Sequence, residues 1–341
     1  MSIQALDHFR EHQLAAAARQ IPVQWGLLQR LGIFSATPVR SPLIKVEEEN
    51  GVMSLLAQTP RGSHATPFSA ARRKMRTFSI PRYAAELMII ADELDGVRAY
   101  GENTVMRQVT DYLRDRMAEL RASIDITREF QQAGAIAGVI KDADGITVAD
   151  LFSEFGVSQQ EVDFVLGTDT TDVTGKLRTV ADHIEKNLKG DVMTGITAIA
   201  SATWFDKFIA HPEIQEAYKY YQAVRSPLRD DVRESFQHAG VTFYRYIGEA
   251  NFLDEGGTTT QKMVADGDVR FIPTGTLNTF REFHGPADWL EALGTPGEPV
   301  YFENWPDPQT GGQRYRTLHA QMNNLAFCMR PSVLVRGYSS N

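Results

Sequence analysis

An α+β fold is what this sequence predicts, and three observations carry the prediction. First, about 30 residues from Asn103 to Ala133 run without Gly or Pro, with apolar side chains at helical spacing, long enough for a rod of roughly 45 Å. Second, β-prone runs flank Asn50-Gly51 and Asp144-Gly145, dipeptides that favour hairpin turns because both tolerate positive φ. Third, residues 175 to 300 interleave helix-start signals with short apolar runs of strand character, and the chain has no internal repeat.

Taken in order, residues 1 to 42 hold one amphipathic stretch followed by "QWGLLQRLGIFSATPVRSP". This reads as an arm, helical at first and extended later. In "LIKVEEENGVMSLLAQ", Leu43, Ile44 and Val46 precede the Asn-Gly pair and Val52, Met53, Leu55 and Leu56 follow it, which predicts a hairpin. Residues 58 to 83 contain three prolines and the basic side chains Arg61, Arg72, Arg73, Lys74, Arg76 and Arg82. No buried face can be drawn through them. A loop this long is either disordered or functional.

The long helix follows. Val109, Leu113, Met117, Leu120 and Ile124 step by 4, 4, 3 and 4, one stripe of a 3.6-residue period, and Asn103 suits the N-cap. A rod with a single apolar stripe is expected to lie along a surface. Ile136, Val139 and Ile140, then Ile146 and Val148, flank Asp142-Ala143-Asp144-Gly145. A calcium loop of the EF-hand type needs Gly at its sixth position. Counting back from Gly145 puts Ile140 at the first, so the stretch reads as a turn between two strands. Beyond it, helices are expected around Leu177 to Leu188, after Ser201 and from Pro212. "DVMTGITAIA", "VTFYRYIG", "VRFIPTG" and the segment from "EPVYFENW" to the C-terminus read as strands.

Composition narrows the function classes. No run approaches 18 apolar residues, so no membrane span is expected. The N-terminus carries acids and no apolar core of a signal peptide. The lone Cys328 excludes an internal disulfide framework and suits a reducing cytoplasm. A net charge of −8 opposes a surface built to grip nucleic acid, since phosphate neutralisation drives such binding. An acidic protein can still lie beside DNA, provided that it should not stick to it.

Catalytic signatures are sparse. There is no Walker A sequence, no G-x-S-x-G, no dinucleotide fingerprint and no H-E-x-x-H. "HFREH" (His8, Glu11, His12) matches the inverted zincin pattern, but no further ligand is indicated by spacing, and a solvated arm helix is the expected reading. His64, His183, His211, His238, His284 and His319 lack ligand spacing. Cys328 with His319 reads as a buried hydrophobe beside an unrelated histidine. Asp111, Asp115 and Glu119 with Arg114, Arg116 and Arg121 read as a solvated helix face. No catalytic, cofactor or metal residue is assigned. Arg72, Arg73, Lys74 and Arg76 admit a solvated loop or an arm reaching an acidic neighbour. The second is favoured, because the net charge supplies acidic surfaces on identical copies.

The order arm, basic loop, long helix, hairpin, mixed unit and terminal strands resembles the lambda-type capsid protein E family of tailed bacteriophages. That family has the Hong Kong 97 capsid fold. The resemblance is densest in "LLQRLGIFSATPVRSPLIKVEEENG", the long helix running into "GVIKDADGITVADLF", "FIPTGTLNTFREFHGPADWLEA" and "YFENWPDPQTGGQRYRTLHAQMNNLAFCMRPSVLVR". It implies an N-terminal arm at 1–39, an extended loop at 40–88 and a peripheral domain at 89–169 with a returning strand near 298–320. An axial domain would take 170–297 and 321–341. It further implies a non-enzymatic head protein of the virion, assembled in the host bacterial cytoplasm from homo-pentamers and homo-hexamers, with no cofactor. Double-stranded DNA would be enclosed without sequence-specific binding. A portal, a decoration protein and a separate scaffolding protein would be partners, because no large N-terminal extension is present to act as a built-in scaffold. Two other classes stay open: an encapsulin-like nanocompartment shell around protein cargo, and a soluble zinc hydrolase built on "HFREH".

Overall fold

The computed structural model describes residues 26–49, 73–90, 105–216, 235–254, 257–306 and 315–341. From the N-terminal side, α1 (Leu27–Leu31) and β1 (Ser35–Pro38) lead to β2 (Leu43–Glu49), β3 (Arg73–Ser79) and β4 (Arg82–Ile90). The long helix α2 (Val105–Ala137) follows, then β5 (Val139–Lys141), β6 (Thr147–Asp150), α3 (Leu151–Phe155) and β7 (Gln160–Asp163). Next come α4 (Val173–Asn187), β8 (Gly195–Ser201), α5 (Ala202–Ala210), β9 (Ser235–His238), β10 (Val241–Tyr246), β11 (Glu249–Asp254) and β12 (Gly257–Lys262). The chain closes with β13 (Asp268–Thr274), β14 (Phe280–His284), β15 (Tyr301–Pro306), β16 (Tyr315–Cys328) and β17 (Val335–Tyr338).

Two larger sheets organise these elements. A six-stranded sheet runs β7-β17-β13-β8-β10-β9, and a five-stranded one joins β1, β14, β16, β15 and β4. In the first, β8 is buried from Ile196 to Ser201, as a central strand covered on both faces must be. Trp204 and Phe208 of α5 pack there against Phe243, with Phe208 and Phe243 ring centroids 4.5 Å apart. Helix α5 begins where the sequence places it, because the Ser201 hydroxyl accepts from Trp204 N. Helix α4 starts four residues before Leu177, at Val173, capped by the Asp172 carboxylate.

The turn at Asp142 is a turn. Strands β5 and β6 pair antiparallel, Asp142 N donates to Ile146 O at 2.8 Å, and Gly145 at φ 80° closes the bend. The helix before it is longer than expected and includes Ile136, which was read as strand. It continues through Gly134 because β5 folds back onto it: a Cβ at Gly134 would lie 3.1 Å from Ile140 Cα.

The expectation of a single-stripe surface rod holds for half of α2. Leu113, Met117, Leu120 and Ile124 are buried against β4, β15 and β16 with Ile89, Phe302, Leu318 and Met322. From Asp125 onward the polar face is buried too, including Asp125, Glu129, Gln131 and Gln132. Asn103 and the turn Asn50-Gly51 lie outside the described residues. The partner of β2 among the described residues is β3, Glu49 standing opposite Arg73.

Residues 73 to 90 correct a second expectation. The segment 58–83, with no drawable buried face, contains β3 and the start of β4, and its Phe78 and Ile80 are buried. Strand β4 pairs with β16 over nine residue pairs, Arg82 opposite Asn323 through Ile90 opposite Tyr315. Its partner lies more than two hundred positions away, so no local pattern announces it. The expected segment boundaries also cut across strands. Residue 88 falls inside β4 and residue 320 inside β16, while β7 of the nominal peripheral segment joins the six-stranded sheet. The ribbon β11–β12 was not anticipated, although Gly256-Gly257 offered turn chemistry.

Two outcomes test this description of the hairpin. Calcium or chelator should leave Tm unchanged in the parent and in an Asp142→Asn, Asp144→Asn double variant. Gly138→Ala should cost about 1–3 kcal/mol, because Gly138 sits at φ 84° and its Cβ would enter the Phe152 ring; thermal melting measures it.

Candidate assembly surfaces and the buried polar seam

Most residues with catalytic potential are engaged elsewhere, although His284 is buried with neither ring nitrogen hydrogen-bonded. Cys328 has no exposure, and burial pushes its thiol up to about 12, which removes the thiolate a nucleophile needs. His319 lies nine positions back along β16, ~30 Å away at ~3.3 Å per residue, so the pair never meets. His183 and His211 bond the carbonyls of Ser332 and Thr168, and His238 bonds the Thr174 hydroxyl. Asp115 and Glu119 are exposed, Glu119 pairing with Arg116 at 2.9 Å. Among the described residues no three His, Cys, Asp or Glu side chains are grouped to hold a metal ion. "HFREH", His64 and the side chain of Asp111 lie outside the described residues.

What the chain buries instead is a polar seam along the second half of α2. Arg128 grips Glu282 of β14 through two bonds, Nε to Oε1 at 2.6 Å and Nη2 to Oε2 at 2.5 Å. Asn324 of β16 adds a third at 2.6 Å, and Gln132 a longer fourth. Burial works to raise the Glu282 carboxyl, but Arg128 and its other partners outweigh it and hold it below the usual glutamate value. At the next position, Glu129 Oε1 accepts from Leu28 N at 3.0 Å and from the Tyr246 hydroxyl at 2.8 Å. That oxygen ties α1 and β10 to the long helix. Here burial dominates, and the Glu129 carboxyl is pushed up despite its donors.

The basic cluster is only partly placed. Arg72 lies outside the described residues. Arg73 and Lys74 stand on β3 at register positions opposite Glu49 and Glu48 of β2, and their side chains lie outside the described residues. Arg76 falls on the inward face, with its guanidinium 4.9 Å from the Phe155 ring centroid. Its first role is therefore within its own subunit. Sequence reasoning grouped these four by proximity and missed the strand alternation that separates Arg76 from Met75, which is exposed.

Large apolar side chains are nevertheless displayed. Met88 and Ile90 project from β4, Trp305 from β15, and Leu290 and Leu293 from a short 3-10 turn, Leu290 being 88% exposed. Acidic composition alone did not suggest such surfaces, which suit burial by neighbouring molecules.

Two larger sheets, three two-stranded ribbons and one long helix form a fold of the phage-capsid class. The capsid structure of cyanophage P-SCSP1u superposes with a TM-score of 0.56 at 11% identity, covering 94% of this chain and 90% of that one. The mature capsid of bacteriophage PhiM1 gives 0.52 at 11% identity, with 94% and 89% covered. In sequence, the major capsid protein of Pseudomonas phage KPP10 is 31% identical across 97% of both chains. That of Salmonella phage Felix O1 is 27% identical across 94% of both. The model of the phage major capsid protein E family matches residues 12–339. This chain belongs to that family, with the Hong Kong 97-type fold, and is a structural capsid protein of the phage virion.

The seam yields a paired prediction. Glu282, with a depressed carboxyl value in the fold, contributes stability that is present above the unfolded value and lost as pH falls through the folded one. Glu282→Gln should therefore cost about 3–5 kcal/mol at neutral pH, because it removes the charged bidentate partner of the largely buried Arg128. Glu129 has the opposite sign: its raised value costs stability as pH climbs above the unfolded value. Glu129→Gln keeps an acceptor for Leu28 and Tyr246 and removes the buried charge, so it should raise Tm at pH 8 and flatten the dependence between pH 5 and 8. Melting of the unassembled subunit across pH separates the two.

Proposed function

We propose that this chain is the repeating subunit of an icosahedral phage head, built from pentamers and hexamers around double-stranded DNA, and that it has no enzymatic activity. The observation that carries the reading is the match to the capsid protein E family across residues 12–339. The net charge of −8 supports a wall that does not adsorb the genome. No described helix is long and apolar enough to cross a membrane. The resemblance supports a separate scaffolding protein, a portal and a decoration protein as partners, and assembly in the host cytoplasm. It also supports the division into arm, extended loop, peripheral and axial units, with β4 and β16 as strands that cross the unit boundaries. Electron microscopy of the chain co-expressed with its neighbouring head genes should show closed particles or rings; a strictly monomeric species under every condition overturns the proposal.

Arg72, Arg73 and Lys74 are proposed to set contacts between subunits, with Arg76 anchoring the same ribbon from inside. Cross-strand charge pairs contribute only ~0.2–1 kcal/mol, whereas losing one partner of a buried interfacial pair costs about 2–5 kcal/mol and recurs at every copy. Reversing Arg72 and Arg73 to Glu should thus shift the subunit's Tm little while abolishing particle yield on a sucrose gradient. Normal shells from the double variant would reduce the cluster to a solvated ribbon. With Cys328 wholly buried, mature particles should run as a single subunit band on a non-reducing denaturing gel, and a ladder would show covalent locking.

A further inference from the structure

We propose that the cavity between the end of α2 and the six-stranded sheet is a binding site for a phosphate-class oxyanion, with Arg270 as its central cation. The cavity measures about 620 Å³. Among the described residues it is lined by Phe130 and Ala133 of α2 and by four cations, Lys141, Lys262, Arg270 and Arg336. These come from four strands, β5, β12, β13 and β17.

The sheet itself creates the demand for an anion. Arg270 of β13 stands directly opposite Arg336 of β17, and like charges in that position repel. Both lean on one carboxylate, Asp268, whose side chain is 5% exposed. Arg336 takes both of its oxygens, Nε to Oδ2 at 2.9 Å and Nη2 to Oδ1 at 3.0 Å, and adds Glu161 through Nη1. Arg270 is left with one bond, from Nη2 to the same Oδ2 at 2.9 Å. Its Nε and Nη1 have no partner among the described residues, and neither is closed off from solvent. The Arg270 side chain is only 14% exposed, so the space those nitrogens open into is this cavity. Burial holds the Arg270 guanidinium below the usual arginine value; Asp268 works against that shift and Arg336 adds to it.

The other charges leave room for it. Lys262 is paired with Asp266 at 2.6 Å and lies 3.8 Å from Glu249, so that corner is close to neutral. Lys141 has no ion-pair partner among the described residues. The carbonyl of Ala137, on the negative end of α2, is engaged by Gln159 Nε2 at 3.3 Å. Two negative charges, Asp268 and Glu161, thus face three positive ones, Arg270, Arg336 and Lys141. A phosphate monoanion closes that balance. Its several oxygens suit cations arriving from different strands, where a planar carboxylate would serve a single fork. Phe130 and Ala133 supply a low-dielectric wall, beside which charge attraction is stronger than in open water.

A bound phosphate ties β13 and β17 to β5, and through β5 to the end of α2. It acts as a brace between the long helix and the six-stranded sheet. Free phosphate is the source rather than duplex DNA, because the net charge of −8 repels a polyanion on approach.

The test uses the unassembled subunit, so its failure leaves the head-protein reading untouched. Calorimetric titration with sodium phosphate at neutral pH, with ionic strength held constant by chloride, should show one site per subunit. Tm should rise with phosphate, as binding to the folded state alone requires. Arg270→Gln should weaken the affinity about tenfold or more, the worth of a hydrogen bond to a charged group. It leaves Asp268 in the grip of Arg336, so circular dichroism and the phosphate-free Tm should stay near those of the parent. Lys141 is exposed, and Lys141→Gln should weaken binding by less, testing the site without disturbing the sheet. Arg245→Gln, at the pair with Asp206 away from the cavity, should bind as the parent does. No saturable uptake of phosphate by the parent overturns the site. So does unchanged affinity in Arg270→Gln, an equal loss in Arg245→Gln, or uptake of a short DNA duplex in place of phosphate.

Discussion

The bidentate pair between Arg128 and Glu282 is the constraint on which the rest of the fold depends. It forms where α2 crosses the five-stranded sheet, with Glu282 almost wholly buried. Taking both charges out of water is expensive, and the attraction offsets that only with good geometry and satisfied lone pairs. Asn324 and Gln132 supply those remaining bonds. The crossing therefore has one register: an apolar contact there would tolerate sliding, whereas displacing α2 by one turn would strand two buried charges.

From that crossing the helix distributes two kinds of contact. Its first half is apolar and rests on β4, β15 and β16. Its second half buries polar side chains as well as apolar ones and reaches α1 and the six-stranded sheet through Glu129. Arm, spine and both sheets are thus joined at adjacent side chains. For a subunit that must present the same edges to several neighbours, such a joint transmits position better than a soft apolar packing, because directional bonds fail abruptly when misaligned.

The surface follows the opposite rule. Apolar side chains stand on β4, β15 and the 290–292 turn, where a solitary globular protein would place polar ones. These groups make sense when other molecules cover them. The ribbon β2–β3 is anchored at its base by Ile44, Val46 and Phe78 and carries exposed Met75 further out. Its inward arginine, Arg76, lies on Phe155, so one alternating strand serves both the subunit core and its outer face.

How much of this was legible in the sequence depends on the range of the interaction involved. The stripe Leu113, Met117, Leu120 and Ile124, the Asp144-Gly145 turn, the Ser201 cap and the β8 run were all readable, because helix period, turn chemistry and capping act within a few residues. The order of such elements was enough to reveal the family. Strand β4 was not readable, since its partner is β16 and a short alternating run with basic neighbours looks like a loop until that edge is supplied. Nor could the sequence separate buried Glu129 from exposed Glu119 on one helix, or Glu282 from any surface glutamate. Their burial and charge states are set by Leu28, Tyr246, Arg128 and Asn324, most of them brought from distant segments. Local chemistry determined the elements, and tertiary packing decided which of their polar groups leave water, because desolvation depends on what surrounds a side chain in space.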